Sequence, residues 1–174
     1  MTIDRDLKSL DANYLIDNID RSYDAWKKAP WHGQVSFDTY CQYILPYRIN
    51  TERLSAIGWR DTLSGRYYPL IRGEKNVKKA FAIINQHIIH HFRNTQPDYP
   101  RQMDALSIGK IRPGNCSLRC LYTIYVLRAL GIPACYDFVN YWSNYSTRGH
   151  SWVTLVTHPD STFTLHKGDS LPLF

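Results

Sequence analysis

The chain has 174 residues, of which 44% are hydrophobic and 14% aromatic, enough for one domain with a sizeable buried core. Its 21 basic and 15 acidic residues give a net charge of +6, but the basic residues are scattered, so we expect no nucleic-acid partner. No apolar stretch approaches the roughly 20 residues that span a bilayer, and the first residues lack the apolar core of a signal peptide. A transmembrane segment is therefore not predicted, and the chain either stays in the cytosol or is a mature or excerpted piece of an exported protein.

The first half of the chain predicts helices. Through residues 10–26, apolar side chains recur at three- and four-residue spacing, as a helix with one buried face requires. The predicted buried face comprises Leu10, Tyr14, Leu15, Ile19, Tyr23 and Trp26. Residues 37–44, which follow the capping residue Ser36, and residues 76–92 predict two further helices. Residues 94–114 hold several prolines and predict an irregular segment.

The best-defined predicted element is a helix that begins at Asn115 or Ser117 and ends near Leu130. Gly131 and Pro133, just beyond it, form the expected stop signal. Apolar side chains cover most of the circumference of this helix. We therefore expect it to be buried on several sides.

A small sheet is predicted after this helix. Residues 134–141, 152–157 and 162–166 are rich in aromatic and β-branched residues, which favour strands. The last two runs are joined by a short turn with Pro159 at its second position, so they should pair antiparallel. Helices followed by a small antiparallel sheet predict an α+β fold.

Two residues stand out as candidates for chemistry. Cys116 lies at the start of the buried helix, where unpaired N–H groups and the helix dipole favour a thiolate, the nucleophilic form. Cys120 lies one turn further along and is predicted to pack in the core instead. His150 is placed at the start of a strand, where it can act as a base if a carboxylate orients it.

The expected strand pairing supplies that carboxylate. A turn centred in the middle of residues 158–161 puts Thr157 opposite Thr162. Counting along the antiparallel ladder then places Asp169 opposite His150.

Three separated motifs resemble the core of the transglutaminase-like superfamily. They are Gly114-Asn115-Cys116, the run LRALGIPA at residues 127–134, and His150-Ser151-Trp152. That superfamily is a branch of the papain-like thiol enzymes with a Cys-His-Asp triad. The resemblance implies Cys116 as nucleophile, His150 as general base and acid, and Asp169 as the residue that orients the imidazole.

The resemblance also implies acyl transfer at amide bonds of peptide or protein substrates, glycopeptides included, without a cofactor. Hydrolysis is favoured over cross-linking, because water is always present whereas an amine acceptor needs its own binding site. The backbone N–H of Cys116 is the natural first donor to the oxyanion of the tetrahedral intermediate, and the second donor is not assigned.

The upstream sequence resembles the helical region that precedes this core in transglutaminase-like proteins of gut Bacteroidetes. The residues that carry this resemblance are 43–48 and Trp59-Arg60. It implies an N-terminal helical region of residues 1–112 packed on a core of residues 113–174. It also implies that the core is incomplete at its C-terminus and belongs to a larger protein of the cell envelope or the extracellular space.

A non-catalytic module that binds a peptide or a glycan is the alternative function. The aromatic segment 138–145 either forms a cleft wall or is a strand end that packs on the sheet. Trp142 in this segment and Trp152 after His150 are the candidate substrate-binding residues. No metal site is predicted, since Cys116 and Cys120 lack the usual zinc-ligand spacing and no clear fourth ligand follows.

Overall fold

The structure, a computed structural model, describes residues 6, 8–92, 102–141, 149–158 and 161–164. In these residues helices precede a three-stranded antiparallel sheet, which confirms the predicted α+β class. The α-helices are α1 (Ala12–Lys28), α2 (Phe37–Tyr43), α3 (Trp59–Tyr67), α4 (Val77–His91), α5 (Ala105–Ile111) and α6 (Cys116–Ala129). The strands are β1 (Ala134–Val139), β2 (His150–His158) and β3 (Ser161–Thr164). Two short 3-10 helices, His32–Gln34 and Tyr68–Ile71, follow α1 and α3.

Helix α6 is the centre of the fold, as predicted. Its N-cap is Asn115, whose side-chain oxygen accepts hydrogen bonds from the amides of Ser117 (2.8 Å) and Leu118 (3.4 Å). Every residue from Cys120 to Ala129 is buried. Helices α1, α3, α4 and α5 pack around it, and strands β1 and β2 cover its remaining side.

Gly131 ends α6 in the left-handed region, with φ of 69°. A side chain at this position would also collide with the carbonyl oxygen of Ala25 in α1. The carbonyl of Gly131 accepts a 2.8 Å hydrogen bond from the indole of Trp31. The predicted stop signal is therefore confirmed, and this glycine also lets α1 approach the end of α6 closely.

Helix α1 has nearly the predicted bounds, and Trp26 is buried as predicted, but three other members of the predicted buried face are exposed. Leu15, Ile19 and Tyr23 are 37%, 50% and 42% exposed, whereas Asn18 and Ser22 are buried. The reason is hydrogen bonding across the helix interface. Asn18 donates to the carbonyl of Leu45 (2.8 Å), and the Ser22 hydroxyl lies 3.0 Å from that of Tyr40.

Residues 94–114 are not irregular throughout, because α5 forms within them. Its start is set by Asp104, whose carboxylate accepts hydrogen bonds from the amides of Leu106 (3.0 Å) and Ser107 (3.1 Å). This cap outweighs the nearby prolines. None of the helices in the described residues is long and apolar enough to cross a membrane.

The sheet has the order β1-β2-β3, with both pairs antiparallel. Strand β1 runs from Ala134, opposite Leu155, to Val139, opposite His150. Between β2 and β3 the predicted register is wrong by one residue. Val156, not Thr157, lies opposite Thr162, because an irregularity between Val156 and His158 leaves one extra residue in β2.

Candidate active site

A cleft of about 510 Å³ opens at the N-terminal end of α6. This volume lies within the range of ligand pockets. Residues 115–118 and Leu121, at and near the helix start, line the cleft. Residues 136 and 138–140 of β1 and its end, with residues 149–151 of β2, form one wall. Residues 50–52 contribute the other wall.

The two candidate catalytic residues reach this cleft from different elements. Cys116 is the first residue of α6 and is half-buried. His150 is the first residue of β2 and is also half-buried. Both line the cleft, so the structure brings the predicted nucleophile and base to one site.

Cys120 differs from Cys116 in the way the sequence predicts. It is only 4% exposed, and burial raises the pKa of its thiol to about 12. Burial and the neighbouring Asp137 likewise raise the pKa of Cys135 to about 12. A thiol of this kind is protonated at neutral pH and is a poor nucleophile.

His150 shares its face of β2 with Trp152, since side chains alternate along a strand. The two rings stack, with centroids 6.3 Å apart and planes inclined by 25°. Trp152 is half-buried beside the imidazole and is not among the residues that line the cleft.

Trp142 and Asp169 lie outside the described residues, so their proposed roles stay predictions. The one-residue register difference at Thr162 removes the counting argument for Asp169.

The other face of β2 carries a chain of hydroxyl groups into the cleft. The Ser151 hydroxyl lies 2.6 Å from the hydroxyl of Tyr136 on β1 and 3.3 Å from that of Ser117 on α6. Ser151 follows His150 and Ser117 follows Cys116. The hydrogen bonds therefore join the backbone segments that carry the two candidate catalytic residues.

The wall that residues 50–52 contribute was not predicted from the sequence. It belongs to residues 44–52, which we call the anchored loop. Glu52, only 2% exposed, accepts 2.7 Å hydrogen bonds from the amides of Ile49 and Asn50 and from the hydroxyl of Tyr125 in α6. A buried carboxylate thus fixes the residues next to the cleft.

Two buried arginines hold the rest of the anchored loop. Arg128 of α6 donates to the carbonyls of Tyr43 (2.9 Å), Pro46 (3.0 Å) and Arg48 (2.8 Å). Arg60 of α3 donates to the carbonyls of Ile44 (2.8 Å) and Leu45 (3.2 Å). Burial lowers the pKa of Arg60 to about 9 and that of Arg128 to about 10. The sequence does not predict this hydrogen-bond network, because the residues that it joins are far apart in the chain.

Metal chemistry has no candidate site in the part of the chain that is described. No three His, Cys, Asp or Glu residues there are grouped so that they could hold a metal ion. His87 and His91 stack with ring centroids 4.0 Å apart on α4, away from the residues that line the cleft.

Comparison with known proteins adds a fold relationship. No protein-family model matches the chain, and no curated protein matches it. Among solved structures, the chain is similar to a protein from Cytophaga hutchinsonii that is provisionally described as a cysteine protease, with a TM-score of 0.53 and 18% identity. The two share a fold. The match covers 75% of this chain and 44% of that protein, so the chain spans less than half the length of its structural neighbour.

The shared fold agrees with the architecture expected from the sequence. A buried helix that carries a cysteine at its start packs on a small antiparallel sheet, and helices precede it. This is the arrangement that the sequence predicts.

Proposed function

We propose that the chain is a thiol-dependent acyl-transfer enzyme of the transglutaminase-like superfamily, which acts on amide bonds of peptides or proteins. The observation that carries the proposal is the convergence of Cys116, at the N-terminus of a buried helix, and His150, at the start of a strand, on one cleft. The similarity to a protein described provisionally as a cysteine protease supports it.

In the proposed mechanism His150 accepts the proton of the Cys116 thiol. The thiolate attacks the carbonyl carbon of the substrate, a C–S bond forms, and the carbonyl electron pair moves to oxygen. The intermediate then re-forms the carbonyl and expels the amine, which takes the proton from His150. Water, activated by the same imidazole, hydrolyses the acyl-thioester, and Asp169 orients the ring.

Hydrolysis is the proposed outcome, rather than cross-linking. The test is incubation with a peptide substrate, which donates the acyl group, and a fluorescent primary amine, which can accept it. Release of the acid without incorporation of the amine is expected, and robust incorporation would reverse the preference.

The wider inferences from the resemblance belong to the same proposal: a helical region of residues 1–112, a core of residues 113–174 within a larger exported protein, and glycopeptides among the substrates.

The experiment that tests the activated thiol is alkylation of Cys116 by iodoacetamide as a function of pH, followed by mass spectrometry of the labelled peptide. Fast labelling well below pH 8.5, where an ordinary thiol is protonated, is expected in the wild type. It should be lost in His150→Ala and kept in His90→Ala, which removes an exposed histidine of α4.

The alternative is a binding module that uses the same cleft without chemistry. Phe138 and Tyr141, which are 59% and 70% exposed, favour it, because they offer aromatic surface at and near the β1 wall. Trp142, a candidate substrate-binding residue, would add to that surface. Slow alkylation of Cys116 that is unchanged in His150→Ala would exclude the enzyme and support this module.

A further inference from the structure

The hydroxyl groups of Tyr136, Ser151 and Ser117 form a chain in the cleft beside Cys116. Ser151 is the middle member, 2.6 Å from Tyr136 and 3.3 Å from Ser117. It is buried, at 5% exposure, whereas Tyr136 and Ser117 are half-buried. All three residues line the cleft.

The three hydroxyl groups have one more proton than the two hydrogen bonds between them use. Each hydroxyl carries one proton, and each of the two hydrogen bonds uses one. One of the three protons is therefore not used within the chain. None of the three hydroxyls has another hydrogen-bond partner among the described residues. The unused proton is thus available to a group bound in the cleft.

The chemistry of the three groups indicates where that proton lies. A phenol is a more acidic donor than an alcohol, which favours the order in which Tyr136 donates to Ser151. In that order Ser151 donates to Ser117, and the third proton is on Ser117. Successive hydroxyl donors polarise one another, so the last hydroxyl of the chain is a stronger donor than an isolated serine.

A second free donor lies next to it. Cys116 is the first residue of α6, where an amide has no partner within the helix. The side chain of Asn115 caps the amides of Ser117 and Leu118 instead, and the Cys116 amide has no hydrogen bond to any described residue. The start of α6 therefore presents an N–H and an O–H from adjacent residues.

We propose that the Ser117 hydroxyl is the second oxyanion donor, acting together with the amide of Cys116. Ser151 and Tyr136 are positioning residues that hold and polarise it. This inference rests on the proposed function, because it concerns the intermediate of that reaction. When Cys116 attacks the carbonyl carbon, the electron pair moves to the carbonyl oxygen, and both donors stabilise the new negative charge without transferring a proton.

Two small reagents separate this role from activation of the thiol. Iodoacetamide alkylates Cys116 by displacing iodide and forms no oxyanion. Acylation by p-nitrophenyl acetate passes through a tetrahedral oxyanion before p-nitrophenolate leaves. Both reactions need the thiolate, so the ratio of their rates at Cys116 reports the oxyanion donors alone. Cys116→Ala provides the blank for the release of p-nitrophenolate.

Ser117→Ala should lower the acylation rate about 100-fold and leave alkylation within about twofold of the wild type. Ser117→Thr, which keeps a hydroxyl, should restore most of the acylation rate. Tyr136→Phe should lower the acylation rate by about threefold, because the row of three hydroxyls loses its first donor, the phenol. The matched control is Tyr40→Phe, which breaks a 3.0 Å tyrosine–serine hydroxyl bond to Ser22 outside the cleft and should leave both rates unchanged.

Three results would overturn the assignment. Equal losses of acylation and alkylation in Ser117→Ala would show that Ser117 acts on the thiolate. Unchanged acylation in Ser117→Ala, with alkylation still dependent on His150, would reject this inference and keep the proposed enzyme. Alkylation of wild type that is slow and independent of His150 would reject both.

Discussion

The guanidinium of Arg60 donates a 3.0 Å hydrogen bond to the backbone carbonyl of Arg128, which is itself a buried arginine. Neither side chain forms an ion pair with a carboxylate among the described residues. Their donors go almost entirely to backbone carbonyls, and those carbonyls belong mainly to the anchored loop. The loop lies against α6 because this helix and α3 supply the hydrogen bonds that its backbone lacks.

Arg128→Lys is expected to destabilise the protein by about 3 kcal/mol. A lysine keeps the charge, but its single nitrogen cannot reach the three carbonyls of Tyr43, Pro46 and Arg48 that the guanidinium binds, and buried carbonyls are left unpaired. Urea unfolding measures this change. The control is Arg21→Lys at a half-exposed arginine that pairs with Asp17 and Asp61, where a change below about 0.5 kcal/mol is expected. Equal effects at the two positions would contradict the anchoring role.

Gly131 should tolerate no side chain. Gly131→Ala places a Cβ against the carbonyl of Ala25 at a residue with φ of 69°, so a loss of about 3 kcal/mol is expected. Gly65 in α3 is the matched control, because an added Cβ meets nothing within 4 Å. Gly65→Ala should stabilise the protein by up to about 1 kcal/mol, since alanine is the better helix former. Thermal unfolding of both variants checks the difference, and destabilisation of similar size in both would refute the close approach of α1 to α6.

The features that the sequence predicted well are those whose signals are local. The cap at Asn115, the stop at Gly131 and the apolar run between them all lie within one stretch, and they place Cys116 at a helix start without reference to the rest of the chain. The sequence predicts the next strand from residue 152, whereas β2 begins at His150. A lone histidine is a weak signal, so His150 is identified only through its place in the motif His150-Ser151-Trp152.

The features that the sequence did not predict depend on distant partners. Apolar periodicity predicts that Leu15 and Ile19 lie on the inner face of α1. Asn18 is buried there instead, because its side chain forms hydrogen bonds with Leu45 and Arg60, which are 27 and 42 residues away in the sequence. The observed register of β3 differs from the predicted one by one residue because of a bulge near Val156. No residue type in the turn predicts this bulge. The anchored loop, and with it one wall of the cleft, is invisible to sequence patterns for the same reason.

Tyr125 should make the protein less stable at alkaline pH. Burial, followed by the charge of Glu52, raises the pKa of Tyr125 well above its usual value. A group whose pKa is higher in the folded state than in the unfolded state contributes stability below the unfolded value of about 10, and this contribution is lost as pH rises above it. The free energy of unfolding should therefore fall above pH 10.

The variant Tyr125→Phe isolates this contribution. At pH 7 it should be less stable by about 1–2 kcal/mol, because Glu52 loses its hydroxyl donor. Between pH 10 and pH 11 its stability should fall less steeply than that of the wild type, by up to about 1.4 kcal/mol per pH unit. Urea unfolding at several pH values gives both numbers, and parallel pH profiles would show that Tyr125 does not carry the effect.

Asn115→Asp should separate capping from thiolate chemistry at the start of α6. The carboxylate is isosteric with the amide and can still accept from the amides of Ser117 and Leu118, so the stability at pH 7 should change by less than about 0.5 kcal/mol. Its negative charge beside Cys116 disfavours the thiolate, so the iodoacetamide profile of Cys116 should move to higher pH. Asn76→Asp, the same change at the N-cap of α4, should leave that profile unmoved. If the two variants react alike, the start of α6 has no special influence on the thiol. A profile displaced only in Asn115→Asp, with stability preserved, would mean that the charge at this cap controls the nucleophile and that the neutral asparagine is needed there.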